Sequence, residues 1–409
     1  MAGVTKRVGL AAVFASALLS ASPSLAQQLG PDEVARLILN ERGGVRDAAG
    51  WGADILAALA DNKLPVANEN VCAVIAVASQ ESSFQANPAV PGLGRIAEAA
   101  IRKKAGVVPM LGNKAVDYLG AIPTPQSSFL KRIRAARTER DLDLVYRDFV
   151  SYGAKNVALD GLLATGLLDK IVEEYNQVST VGAMQVSVAF ALDAERGEHW
   201  RPISHAESLA VRDRLYGRKG GLYYGARQLL AYQSGYAHKI YRFADYNAGR
   251  YSARNAALQG VISRLSGQKI AADGDLLSYD KRREPRAEAT ASEKAARVAV
   301  ERYKLGIGDA DLRNDLAREK SADFAQTRTF KALRDAYRRA TGKDAPFAVL
   351  PGIDLKSPKI KSHMTTALFA ERVNGRYGKC MTLATAMTQN PNMRAPVAKA
   401  FDWRKFWPD

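Results

Sequence analysis

Two cysteines in 409 residues, Cys72 and Cys380, are too few for a disulfide-dense scaffold or a thiolate-built zinc site. The four histidines, His199, His205, His238 and His363, show no zinc-protease spacing, so no metal site is expected. No strand-to-helix serine elbow is visible, and no strand precedes Pro91-Gly92-Leu93-Gly94, which rules it out as a dinucleotide loop. No run of alternating residues is long enough for a central sheet, and no internal repeat suggests a solenoid. Beyond the N-terminal segment no stretch reaches the length of a transmembrane helix. Acidic residues are also short: 42 Asp and Glu face 59 Lys and Arg, a formal net charge of +17.

What is present begins with an export signal. Lys6 and Arg7 precede an apolar run from Val8 to about Leu19, and Ser24-Leu25-Ala26 stands before the polar Gln27. That is the layout of a cleavable secretory signal over 1–26, and it predicts a periplasmic or secreted protein. Loss of Lys6 and Arg7 takes the charge from +17 to +15. Outside the cytoplasm the anionic partners for such a chain are cell-wall glycopeptide, acidic surface polymers and lipid headgroups. Its Lys and Arg are scattered over predicted helices rather than gathered in one block, so nucleic acid is not an expected partner.

Helical periodicity dominates the remainder, and the expected fold class is mainly α. Helices are predicted over Pro31 to Asn40, Arg46 to Ala60, Arg95 to Ala105, Lys114 to Leu119, Gln126 to Arg137, Glu139 to Tyr152 and Gly161 to Tyr175. Others follow from Gly220 to Gly235, across Tyr241 to Leu258, and over Ser292 to Leu305, Ala310 to Lys320, Ser321 to Thr341 and Ser362 to Asn374. Residues 27–265 are assigned to one domain with an insertion at 91–178. The polar, charged stretch 266–291 reads as an exposed connection, and 292–409 as a helical region packed on the core.

The most informative helix is VCAVIAVASQESSFQ, Val71 to Gln85. Its apolar stripe is so wide that little polar face remains, which places it inside a domain. Glu81 arrives at its C-terminal turn, at the mouth of a buried helix. Partial burial disfavours an ionised carboxyl and raises its pKa, as a general acid working near neutral pH requires. Cys72 lies nine residues earlier, about two and a half turns, and so points to the opposite side. A Cys72 to Cys380 bridge would fasten the C-terminal region to the back of this helix; a bridge and two unpaired buried thiols both remain open at this point.

Three short segments carry a resemblance. Glu81-Ser82-x-Phe84, Gly182-x-Met184-Gln185 and Tyr246-Asn247-Ala248-Gly249, in that order on a helical exported chain, resemble the catalytic domain of lytic transglycosylases, members of the lysozyme-like superfamily. The resemblance covers about Val71 to Leu265. It implies that Glu81 is the catalytic acid and base, and that Ser82 is the hydroxyl beside it. It further implies that Met184 and Gln185 line the sugar cleft and that Tyr246 and Asn247 face the glutamate. The chain departs from the family's pattern in the long 91–178 insertion, in Val188 where a proline is usual, and in lacking an asparagine before the helix at Gly220.

The activity so implied is cleavage of the linkage between N-acetylmuramic acid and N-acetylglucosamine in peptidoglycan, with no cofactor. Asp245 is the nearest candidate for a second acid. The partners would be peptidoglycan glycan strands, with other envelope proteins as further candidates. The competing expectation is a non-catalytic lysozyme-like envelope protein that binds glycan or a partner protein, its cleft closed by the insertion.

Overall fold

The computed structural model describes residues 29–105, 112–156, 176, 178–199, 202–280, 283–355 and 363–390. The proposed signal at 1–26 and the helix expected over Gly161 to Tyr175 lie outside them. The protein is mainly α, with a single two-stranded sheet among the described residues. Among the described residues no helix is long and apolar enough to cross a membrane.

Three helices come first among the described residues: α1 (Pro31–Glu41), α2 (Ala48–Asp61) and α3 (Asn68–Ser82). In α3 every residue from Val71 to Ala78 is fully buried. Each Val or Ile sealed in this way contributes about 1.5–3 kcal/mol, so the helix is fixed on all sides. It ends before Asn87 and Pro88 are reached. Ser83 and Phe84 take left-handed backbone, with φ of 54° and 60°, and the Phe84 N–H returns to the Ala78 carbonyl at 3.4 Å. Such a turn is costly for residues bearing a Cβ. Packing holds it here: Phe84 is buried edge-on against Trp51 of α2, ring centroids 5.5 Å apart.

The insertion contributes α4 (Leu93–Ala105), α5 (Gly112–Ala121), α6 (Phe129–Ala135) and α7 (Glu139–Asn156) around a small core of Phe129, Ile133 and Val145. Next comes a hairpin, β1 (Thr180–Val181) and β2 (Val186–Ser187), paired Thr180 to Ser187 and Val181 to Val186. Gly182 opens its turn at φ +83°, and a Cβ there would stand 2.2 Å from the Leu215 carbonyl oxygen, so only glycine fits.

Four helices follow: α8 (Val188–His199), α9 (His205–Tyr216), α10 (Arg218–Leu230) and α11 (Ile240–Ala248). With α1 to α3 and the hairpin they form the largest core, which includes Leu37, Ile55, Met184, Leu215, Leu229 and Phe243. A second core unites α12 (Ser252–Ser266), α13 (Ala291–Arg302), α14 (Asp309–Leu316) and α15 (Arg328–Thr341) around Leu258, Ile262, Phe324 and Leu333. The stretch 266–291, expected to be an exposed connection, is partly built into this core: Leu276 and Leu277 are buried in it. The Leu276 and Leu277 N–H groups both donate to the buried Glu319 carboxylate, at 2.5 and 3.4 Å.

The last described helix, α16 (Thr366–Gln389), is longer than its sequence suggests. It returns to the first core, where Phe369, Val373, Ala384 and Met387 are buried. Cys380 lies within it and is bonded to Cys72 of α3, Cα atoms 5.5 Å apart. The helix therefore continues through Gly375 and Gly378, where tertiary packing outweighs a cost of about 1 kcal/mol per interior glycine.

Candidate active site

Glu81 is the penultimate residue of α3, half-buried, on the opposite side of the helix from Cys72. It opens onto a cavity of about 360 Å³ lined also by Thr180, Gln185, Ser187, Gln228, Tyr246 and Asn247. Burial, and then the charge of Glu139, push its pKa from 4.5 up to about 8. The unpaired carbonyls at a helix C-terminus add to that bias, because the negative end of the macrodipole disfavours an anion. At neutral pH Glu81 accordingly holds a proton.

Each wall has a definite origin. Gln185 closes the hairpin turn at φ +49°, and its N–H donates to the Gly182 carbonyl at 3.0 Å. Thr180 and Ser187, paired across the hairpin, put two hydroxyls on the same wall. Gln228 of α10 ties the hairpin to α11: its amide oxygen accepts from the Ser187 N–H and its amide nitrogen donates to the Tyr246 carbonyl, both at 3.4 Å. Tyr246 is buried, and its hydroxyl donates to the Met184 carbonyl at 2.8 Å. Burial, and then the nearness of Glu81, hold its pKa well above the usual tyrosine value, so it remains a donor. The Asn247 amide oxygen accepts from the Thr366 hydroxyl at 2.8 Å, which brings the start of α16 to the edge of the site.

Glu81, Gln185, Tyr246 and Asn247 are thus brought together. Ser82 and Met184 are not. The Ser82 hydroxyl is buried, donating to the Ala78 carbonyl at 3.2 Å and accepting from the Gln85 N–H at 3.2 Å, so it braces the helix end. The Met184 side chain is fully buried and packs where a Cβ on Gly225 would collide with it. Only its backbone serves the site, as the acceptor for Tyr246.

Asp245 is no partner acid for Glu81 either. It is a buried residue of α11, and its carboxylate accepts from the Tyr232 and Tyr236 hydroxyls at 3.0 and 2.8 Å and from the Tyr251 and Ala253 N–H groups at 2.7 and 2.8 Å. Burial raises its pKa to about 6, against the opposing pull of those donors. It is the buried knot that joins α11 to α12. The second carboxylate that Glu81 does feel is Glu139, at the start of α7. Sequence reading missed Glu139, Thr180, Ser187 and Gln228. For Gln228 a signal existed, an uncharged polar residue beside the buried Leu229 and Leu230; for Glu139 there was none.

Among the described residues no group of three or more His, Cys, Asp or Glu could hold a metal ion. Fold and site together define a mainly α protein with a protonated carboxyl facing a cavity of hydroxyls and amides. The chain belongs to the family described as "Protein of unknown function (DUF1615)", which matches residues 44–383. It is 38% identical over 337 residues to "Uncharacterized protein YaiW" of Escherichia coli (strain K12), covering 82% of this chain and 86% of that protein. No solved structure matches it.

Proposed function

We propose that this protein is a peptidoglycan lytic transglycosylase in which Glu81 is the single general acid and base. The observation that carries the reading is convergence: Glu81, Gln185, Tyr246 and Asn247 come from three segments far apart in the chain and line one cavity. In the proposed reaction, neutral Glu81 protonates the glycosidic oxygen between N-acetylmuramic acid and N-acetylglucosamine as the C1–O bond breaks. The resulting carboxylate then takes the proton of the muramyl C6 hydroxyl, whose oxygen closes on C1 to form a 1,6-anhydro ring. Water is not consumed, and Glu81 ends as it began.

The raised pKa of Glu81 supports this use, because an acid must hold its proton at the working pH before it can give it up. The hydroxyls and amides of Thr180, Ser187, Gln228 and Asn247 suit a ligand rich in hydroxyl and acetamido groups. The reading carries with it an exported protein acting in the periplasm or outside the cell, with glycan strands as partners. The test is release of soluble fragments from purified cell wall by the wild type and not by Glu81→Gln.

One observation favours a second reading, a glycan-binding protein that does not cut. At about 360 Å³ the cavity is at the small end of ligand sites, and the insertion brings Glu139 against its wall. Binding of glycan by Glu81→Gln and the wild type alike, with no product from either, would select it.

A further inference from the structure

Glu139 belongs to none of the three motifs and comes from the insertion, yet it is buried beside the cavity. Its Oε2 accepts from Gln185 Nε2 at 3.1 Å. That same nitrogen reaches the Gly182 carbonyl at 3.4 Å, while Gln185 Oε1 accepts from the Thr180 hydroxyl at 3.1 Å. A carboxylate and a carbonyl can only accept, so both select the NH2 end of the Gln185 amide. The amide is thereby held one way round. Gln185 and Thr180 both line the cavity, and each of the two oxygens keeps a lone pair beyond the bond they share.

Glu139 is itself held firmly. It is the first residue of α7, and the Tyr216 hydroxyl donates to its carbonyl at 3.4 Å. One turn on, Asp143 is engaged by Arg147, by Arg212 at 3.1 Å and by Asn176 at 2.7 Å. Among the described residues the charged and titratable groups around this corner include Glu139, Asp143 and Arg147 on α7 with Arg212 and Tyr216 on α9. Those coupled to Glu81 among the described residues are Glu139 and, on α11, Tyr246. Arg376 of α16 is turned to Glu41 of α1 and to Ser79 and Gln80 of α3.

We propose that Glu139 is a positioning residue for the Glu81 cavity, orienting the Gln185 amide so that this wall accepts hydrogen bonds from ligand N–H and O–H groups of the acetamido and hydroxyl class. The inference rests on the transglycosylase reading and deepens it: the insertion supplies a working part of the cleft. The Glu139 charge also adds, after burial, to the rise in the Glu81 pKa, so the residue that orients the recognition wall contributes to the acid as well.

The experiment compares the full-length wild type with Glu139→Gln and Glu139→Asp. The Glu81 carboxyl is titrated by carbon-13 NMR, assigned with Glu81→Gln, and the Gln185 side-chain amide is followed by nitrogen-15 NMR. Kinetics are measured on a soluble, uncross-linked glycan strand. Glu139→Gln should lower the Glu81 midpoint by on the order of one pH unit, shift the Gln185 amide resonances, and raise KM at least about tenfold. Glu139→Asp keeps the charge but shortens the reach, so it should keep the midpoint while sharing the amide shift and the KM loss. An unchanged midpoint and unchanged Gln185 resonances in Glu139→Gln would overturn the proposal, as would identical titration curves for the two variants. If the wild type cuts no glycan, the transglycosylase reading fails by the kinetics alone, and the two NMR readouts still decide the role of Glu139.

Discussion

The hydroxyl of Tyr246 donates to the carbonyl oxygen of Met184 across 2.8 Å, and so joins α11 to the hairpin turn that carries Gln185. The bond is buried, and no solvent stands ready to replace it. Tyr246→Phe should therefore destabilise the protein by about 1–3 kcal/mol, the cost of stranding a buried acceptor. The turn would lose its anchor next to Gln185, and glycan cleavage should fall by up to about 100-fold. Thermal unfolding and initial rates check both; a variant as stable and active as the wild type would show that the bond does neither job.

The pH dependence of cleavage follows from the Glu81 proton. A general acid works only while protonated, and burial together with the Glu139 charge holds the Glu81 pKa at about 8. On the alkaline side, kcat/KM should stay level up to about pH 7 and then fall about tenfold per pH unit above about 8. A profile already falling between pH 5 and 6 would contradict a buried, protonated Glu81.

The same proton governs stability, with no reference to activity. The folded-state pKa of about 8 lies above the ordinary value of 4.5, so between those two values the folded chain holds a proton that the unfolded chain has released. Stability from the neutral carboxyl is complete below about pH 4.5 and is lost as pH rises through about 8, at about 1.4 kcal/mol per unit within that window. Glu81→Gln removes the titration. It should melt close to the wild type at pH 4.5 and above it at pH 9, by about 2 °C or more. Equal melting temperatures at both pH values would exclude the raised pKa.

The Cys72–Cys380 bond holds α16 against the side of α3 remote from the cavity, and α16 in turn brings Thr366 to Asn247 and Arg376 to Gln80. Peptide mapping without reductant should recover the two cysteines in one cross-linked fragment. The double substitution Cys72→Ser with Cys380→Ser should cost about 2–5 kcal/mol, as expected for a bond closing a loop this long. Recovery of both as free thiols would contradict the bond.

Periodicity made α3 legible before any coordinates: a helix apolar on nearly every side has to be buried, and the nine-residue offset put Cys72 and Glu81 on opposite faces. The order of the three motifs led to Gln185, Tyr246 and Asn247. Less was legible where tertiary packing overrode local signals. Asn374-Gly375 reads as a helix end, but the packing of α16 against α3 and the Cys380 bond carry the helix to Gln389. The charged composition of 266–291 hid Leu276 and Leu277, because a buried pair has no period to reveal it. Ser82 and Met184 sit at motif positions, but their side chains serve the helix end and the core. Glu139 was invisible because nothing in a helix-start sequence tells which distant wall it will meet.

Mass spectrometry of the fragments released from purified cell wall by the wild type and by Glu81→Gln bears most directly on Glu81 as single acid and base. The wild type should release fragments ending in 1,6-anhydromuramic acid, and Glu81→Gln should release at least about 100-fold fewer. Fragments with reducing muramic acid ends, or equal release by the two proteins, would contradict it.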